Sequence, residues 1–240
     1  MRSALFAAEN LEKESAQPGI RLQSSKMLKI ELNGECLART GSMVAYQGHV
    51  QFQALGSGGV GKWLKQKLTG EGVPLMKLTG RGDVFLAERA ADIHLVDLEP
   101  GDALSINGAN VLAFDATLQY DVKMVQGMGV ASSAGLFNCV FTGQGRIAVT
   151  TKGTPVVLTV DQPTYVDPQA AICWSANLQT GYHRADQLGI GTLLGRSTGE
   201  AFTMSFAGQG FVVVQPSEEP PSGLAGAAEQ QGGLLGGLIR

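Results

Sequence analysis

The residues best placed to do chemistry lie in the run Gly56-Ser57-Gly58-Gly59-Val60-Gly61-Lys62-Trp63. It satisfies the G-x-x-x-x-G-K spacing of a phosphate loop, in which backbone N–H groups cradle phosphates and the lysine reaches the β/γ-phosphates. The hydroxyl that would hold Mg²⁺ is replaced by Trp63, an indole that cannot ligate a metal. Lys62, Lys65 and Lys67 surround Trp63 and form the one basic and aromatic cluster of the chain. Such a cluster can bind RNA by stacking and phosphate contacts, although stacking platforms normally use several aromatics along a basic groove. A small-ligand or nucleotide site in the insert 55–72 and RNA binding at these four residues are therefore the two alternative functional readings.

Other chemistry-bearing residues are scattered. Thr69-Gly70-Glu71 and Thr198-Gly199-Glu200 repeat one tripeptide, so Glu71 and Glu200 are candidates for a paired-carboxylate contact to a cation or polar ligand. A turn carrying an exposed glutamate is the plainer reading. His94 stands between Asp92 and Asp97, but the chain has neither H-x-x-H nor a Cys/His cluster of zinc-ligand spacing. The serine-hydrolase elbow G-x-S-x-G is missing as well. Cys36, Cys139 and Cys173 make no C-x-x-C pair and are odd in number, which reads as buried, reduced thiols of an intracellular protein. Cys139 lies in an apolar strand-like run, a core position and not a nucleophile's. No catalytic residue, cofactor or metal is expected.

The elements that must position these residues are repeated. Leu78-Thr79-Gly80-Arg81-Gly82, Phe141-Thr142-Gly143-Gln144-Gly145 and Phe206-Ala207-Gly208-Gln209-Gly210 each lead into an apolar run, with first glycines 63 and 65 residues apart. A fixed period of this size marks duplicated structural units. The repeat extends upstream: Leu28, Leu37, Gly41 and Val44 meet Leu95, Leu104, Gly108 and Val111 at a shift of 67. The units are residues 26–92, 93–155 and 156–216, after an N-terminal extension, 1–25, and before a Gly/Pro-rich tail, 217–240. Each unit reads as an alternating strand, a turn, a second strand (43–52, 110–120, 170–178), a Gly-rich insert (55–72, 127–135, 189–199) and the glycine-motif strand. In the motif, two glycines flanking one residue mark a bulge, bend or turn. The pattern Val156–Val160 then Asp161 resembles a Walker-B strand, yet it is the third copy of the first strand of the unit. A phosphate loop also belongs to βαβ architecture, which this pattern lacks.

The expected class is thus all-β: three tandem units in one pseudo-threefold, barrel-like domain. Residues 2–8 read as a short strand and 9–19 as a loop. Glycine, at 33 residues, is about double the usual share, and charged residues, at 16%, fall below the usual quarter or so. A formal net charge of −3 gives no global field for phosphate backbones, so nucleic acid is not the expected partner. No stretch reads as the roughly 20 predominantly apolar residues that span a bilayer, and the apolar start is too short for a secretory leader. The expected location is the cytoplasm. The apolar end of the tail, Gly232-Gly233-Leu234-Leu235-Gly236-Gly237-Leu238-Ile239-Arg240, is a segment for docking on the barrel or on a second subunit, unless it stays disordered.

Two longer passages carry a family likeness. Ser25-Lys26-Met27-Leu28-Lys29-Ile30-Glu31-Leu32-Asn33-Gly34-Glu35 with Ala38-Arg39-Thr40-Gly41-Ser42-Met43-Val44-Ala45-Tyr46-Gln47-Gly48, and Arg196-Ser197-Thr198-Gly199-Glu200 leading into the third glycine motif, resemble the altered-inheritance-of-mitochondria, or mitochondrial-biogenesis, family. The resemblance covers roughly residues 25–216. It implies a fold like that of the tryptophan RNA-binding attenuation protein, a short double-stranded β-helix unit repeated three times. It brings no catalytic residues, and the attenuation protein's ligand sites do not follow from fold alone. The function expected is that of a non-catalytic scaffold or interaction protein, with protein partners or self-association into an oligomer.

Overall fold

The structure is a computed structural model and describes residues 3–13, 18–55, 73–124, 137–183 and 203–217. The strands are β1 (Gly19–Ser24), β2 (Met27–Arg39), β3 (Met43–Ala54), β4 (Leu75–Leu86), β5 (Asp92–Leu98), β6 (Ala103–Asn107), β7 (Val111–Asp115) and β8 (Gln119–Met124). They continue with β9 (Phe137–Thr142), β10 (Gly145–Thr151), β11 (Val156–Val160), β12 (Thr164–Val166), β13 (Ala171–Ser175), β14 (Gln179–His183), β15 (Thr203–Ala207) and β16 (Gly210–Val214). Helical structure among the described residues is confined to three 3₁₀ turns of three residues each. The protein is all-β.

All pairings are antiparallel and build sheets of seven, six and three strands. Within residues 26–92, β4 lies between β2 and β3. Within 93–155, β10 lies between β5 and β7, and β9 between β6 and β8. Within 156–216, β16 lies between β11 and β13, and β15 between β12 and β14. The long strands β2, β3 and β4 thus run straight through where the later stretches break into two. One further detail recurs: an extra residue bulges out at Val44, Leu112 and Ile172, each just inside the start of its strand.

The glycine motif works differently in its three settings. In β4 it sits in an unbroken strand with Gly80 at φ +122° and Gly82 at +153°, and a Cβ on either would overlap the carbonyl oxygens of His49 or Gln47 on β3. Glycine is required there by close approach as well as by backbone conformation. In the other copies the chain bends and changes sheet, from β9 to β10 and from β15 to β16.

Neighbouring stretches are joined by strand pairing at two junctions. Cys36, Leu37 and Ala38 of β2 oppose Asp115, Phe114 and Ala113 of β7. Leu104, Ser105 and Ile106 of β6 oppose Ser175, Trp174 and Cys173 of β13. Each joining strand ends in a donor that reaches across. Arg39 Nε and Nη2 donate to the carbonyls of Val111 and Gly108, at 2.9 and 2.7 Å. Asn107 Nδ2 donates to Ala171 and Pro168, at 3.1 and 3.4 Å. Three apolar clusters follow the same chain order: Leu28, Leu78 and Leu86 in the first, Phe114, Phe141 and Ile147 in the second, Trp174, Met204 and Phe206 in the third. The rings of Phe114 and Phe141, 4.9 Å apart edge to face, fill the middle one.

Two expectations from sequence are corrected. The segment read as a strand at 2–8 forms 3₁₀ turns at Ala4–Phe6 and Ala8–Asn10, because Ser3 Oγ accepts from Leu5 N and Asn10 Nδ2 donates to Ala4 O, closing the chain on itself. The second strands read at 110–120 and 170–178 are interrupted, at residues 116–118 and 176–178, by turns closed by Leu118 N to Asp115 O and Leu178 N to Ser175 O. In addition, β1, inside the N-terminal extension, is paired along its length with β2.

Gly80→Ala should lower stability by about 2–3 kcal/mol, from positive φ combined with backbone overlap. Gly41→Ala, also at positive φ but with open space around it, should cost about 1 kcal/mol. Denaturant midpoints of the two variants against the parent check the difference.

Candidate functional site

A polar cleft of about 580 Å³ opens on the face of β2 and β4 turned away from the first apolar cluster. Alternation along β2 sends Leu28, Ile30 and Leu32 into the core. Lys29 and Glu31 therefore stand on the opposite face, beside Asp83 and Phe85 of β4, which oppose Glu31 and Lys29 across the strands. Arg81, Asn33 and Gln47 complete the lining, and the Arg81 guanidinium donates to Asn33 Oδ1 at 3.2–3.3 Å.

Lys29 is the centre of this cleft and is nearly buried, an uncommon state for an ammonium unless it is paired. Its Nζ lies 2.6 Å from Glu12 Oε1, 3.5 Å from Glu31 Oε1 and 3.4 Å from Asp83 Oδ2. It also donates to Lys13 O at 3.0 Å and lies 5.9 Å from the centre of the Phe85 ring. Arg21 of β1 takes a share of Glu31, at 2.8 Å. The cover comes from the N-terminal arm, residues 3–13. Gln23 holds the arm from both ends of its side chain, accepting from Lys13 N and donating to Leu11 O.

The electrostatics make this a latch. Burial pulls the Lys29 ammonium down, but the hydrogen bond it donates to Glu12 and the charges of Asp83 and Glu12 outweigh it and hold the group above its ordinary value. The same hydrogen bond to Lys29 holds the Glu12 carboxyl below the usual carboxylate range, against a smaller effect of burial. At neutral pH Lys29 is therefore neither nucleophile nor base, and Glu12 is no proton donor. The arrangement can hold a segment or recognise a polar ligand.

The remaining candidates from sequence fall elsewhere. Lys62, Trp63, Lys65, Lys67, Glu71 and Glu200 lie outside the described residues, as do the tail beyond Ser217 and all of the Gly-rich inserts apart from Leu55. The three thiols are free and buried. Burial pushes Cys36 and Cys173 up to about 12 and Cys139 to about 11, which keeps them protonated and inert at neutral pH. His94 Nε2 meets Thr151 Oγ1 at 3.0 Å across the β5–β10 pair. Among the described residues no group of three or more His, Cys, Asp or Glu is placed to hold a metal. No helix among them is long and apolar enough to cross a membrane. Sequence reading missed the Lys29 cluster. Its available signal was a lysine and a glutamate on one face of an otherwise apolar alternating strand, with Glu12 upstream.

These features define an all-β protein of linked antiparallel sheets whose first sheet carries a latched, charged cleft. The chain belongs to the mitochondrial biogenesis AIM24 family, which it matches over residues 19–217. Seven chains of solved structure are similar to it. One is protein SPYM3_0169 from Streptococcus pyogenes, with 22% identity and a TM-score of 0.66, the match covering 90% of this chain and 99% of that one. At that identity the likeness concerns the fold. No curated protein matches the chain.

Glu12→Gln should release the arm, so that trypsin cleaves after Lys13 several-fold faster while the sheets remain resistant. Because the Glu12 carboxyl is depressed in the folded state, the latch is fully present above the ordinary carboxylate value and weakens as pH falls through the lowered one. Cleavage by an acid protease near Leu11 should rise over that same interval. The thiols give the opposite sign. Their folded values lie above the ordinary 9.0, so their contribution to stability is full below about pH 9 and declines as pH rises toward 12. Cys173→Ala should accordingly lose less stability than the parent between pH 8 and pH 10, read from urea midpoints.

Proposed function

We propose that this AIM24-family chain is a non-catalytic interaction scaffold that engages other proteins through an exposed edge of its sheets. The reading rests on β11. This strand ends the six-stranded sheet among the described residues and pairs on one side with β16. Val156, Val157 and Leu158 are all exposed, Val157 by 65%, and Phe211 of β16 stands exposed nearby in the register. The corresponding strand of the first unit is flanked by β1, and that of the second keeps Ile93 in the core and is tied to β1 through Arg146, which binds Asp97 and the carbonyl of Ile20. A strand edge with apolar side chains on both faces suits β-augmentation, in which an extended partner segment adds main-chain hydrogen bonds and fills side-chain pockets.

In this proposal the three units pack about a pseudo-threefold axis in the manner of the attenuation protein, and the protein acts in the cytoplasm, where its free thiols stay reduced. The Lys29 ammonium in the cleft is already paired with Glu12 of the arm and with Glu31 and Asp83, which favours holding a segment over turning over a substrate. Lys62 and Trp63, on which the nucleotide and RNA readings rest, lie outside the described residues.

A photo-cross-linking residue placed at Val157 and activated in the native cell should capture a discrete protein partner, with the yield reduced at least fivefold by Leu158→Lys. Capture that is diffuse, or equal at a buried control position, would sink the proposal.

A further inference from the structure

The backbone of β11 fixes which of its groups face outward. Phe211 N donates to Ser175 Oγ at 3.1 Å, on the β13 side of β16. Successive residues of a strand send their N–H and C=O groups to opposite sides, so Val212 turns its own toward β11. Leu158 lies opposite Val212 and Thr159 opposite Phe211, so the bonds to β16 are made by Val156, Leu158 and Val160. Val157 and Thr159 therefore present their N–H and C=O groups to the open edge. Cross-strand partners share a face. Val157 thus continues the face of Val213, which packs on the middle apolar cluster, and Leu158 that of Val212, in the third cluster. Both apolar layers run out to β11 and end there in exposed side chains.

A strand that covers this edge must itself be apolar on both faces. Among the described residues, the other strands that end a sheet or branch from one are β1, β3, β5, β8, β12 and β14. All but β12 set an amide, a histidine or a charge on a face, as Gln47 does in β3, Asp97 in β5 and Lys123 in β8, and β12 has only three residues. β11 is built of valine, leucine and threonine alone. The strand that suits β11 is β11.

We propose that β11 pairs antiparallel with β11 of a second copy about a twofold axis at Leu158, a step that rests on the reading of β11 as a binding edge. Leu158 then lies opposite its mate, Val157 opposite Thr159 and Val156 opposite Val160. The axis must pass between a residue and its own mate, because only then do both strands turn like groups to each other. At Leu158 the outward groups of Val157 and Thr159 all find partners. An axis at Val157 would set Thr159 against Pro155, which has no N–H, and one at Thr159 would draw Asp161 into the pairing. An axis perpendicular to the sheet also keeps each face with its like, so both apolar layers continue across the seam and the six-stranded sheet is doubled. Phe211, opposite Thr159, comes into line with Val157 of the second copy on one face. Five residues a side make a small interface, so the association is reversible and of micromolar order.

Sedimentation velocity of the full chain should show a concentration-dependent equilibrium of monomer and dimer. Val157→Pro removes an outward N–H and none bonded to β16, and should weaken the dimer by roughly tenfold or more, with hydrogen exchange in β9 and β13 unchanged as the check on folding. As concentration rises, exchange should slow at the amides of Val157 and Thr159 and stay constant at those of Leu158 and Val160. Directly opposed residues of this kind have α-carbons about 4.5 Å apart, within disulfide range, whereas diagonal ones are about 7–8 Å apart. Mild oxidation should therefore link Leu158→Cys into a dimer in several-fold higher yield than Val157→Cys. Equal linking of the two, or a dimer indifferent to Val157→Pro, overturns the proposal. So does a chain that stays monomeric at every concentration; capture of a different protein at Val157 would then keep β11 as a binding edge, and absence of any capture would remove that reading too.

Discussion

The structure depends on a strand junction closed by a side chain that reaches past it. Three residues of pairing are too few to hold two parts of a sheet in one orientation, since short strand pairs are marginal in water by themselves. Arg39 and Asn107 supply the missing constraint by donating to two carbonyls of a turn that the pairing leaves unsatisfied. Buried carbonyls without partners are costly, so the tether both satisfies the turn and fixes the register of the strands beside it. The core then assembles around the junctions. Cys36, which opposes Asp115, sends its Sγ–H to the carbonyl of Phe114 at 3.2 Å, and Phe114 anchors the middle apolar cluster.

This constraint accounts for the division of labour between apolar and polar residues. The thiols sit at or beside the junctions as small hydrophobic groups that also cap a carbonyl or fill a gap, and burial suppresses their ionisation. Charge is sent to the outer faces of the sheets. There Lys29 and Arg146 tie segments together as Arg39 does inside, each binding a carboxylate and a main-chain carbonyl: Lys29 to Glu12 and Lys13 of the arm, Arg146 to Asp97 of β5 and Ile20 of β1. Basic groups in this fold act as struts between segments.

Much of the architecture was legible because the glycines repeat at a fixed interval, and glycine in an apolar run has few explanations besides a backbone one. Gly80 and Gly82 carry that signal through a steric requirement that no other residue meets. The breaks in the second strands were not legible, since Ala116-Thr117-Leu118 and Ala176-Asn177-Leu178 contain no Gly or Pro and turn by local hydrogen bonding. The arm was misread for a related reason: Leu5 and Phe6 look like strand residues, yet no strand edge is offered to them and Ser3 caps the turn. The cleft escaped because a lysine at an outward strand position reads as solvent-exposed. Only the fold brings Glu12, seventeen residues upstream, over its head group.

The tethers were the hardest feature to see, although they occupy one equivalent position. Arg39, Asn107 and Asp167 share no residue type, and a repeat search counts such a column as variable. Physically the column is ordered by donor capacity. Arginine offers several donors and no acceptor; asparagine offers one amide to the neighbour and keeps its oxygen for its own turn; aspartate keeps the turn and offers nothing outward. Arg39 and Asn107 can therefore close a junction with a neighbouring strand, whereas Asp167 serves only its own turn.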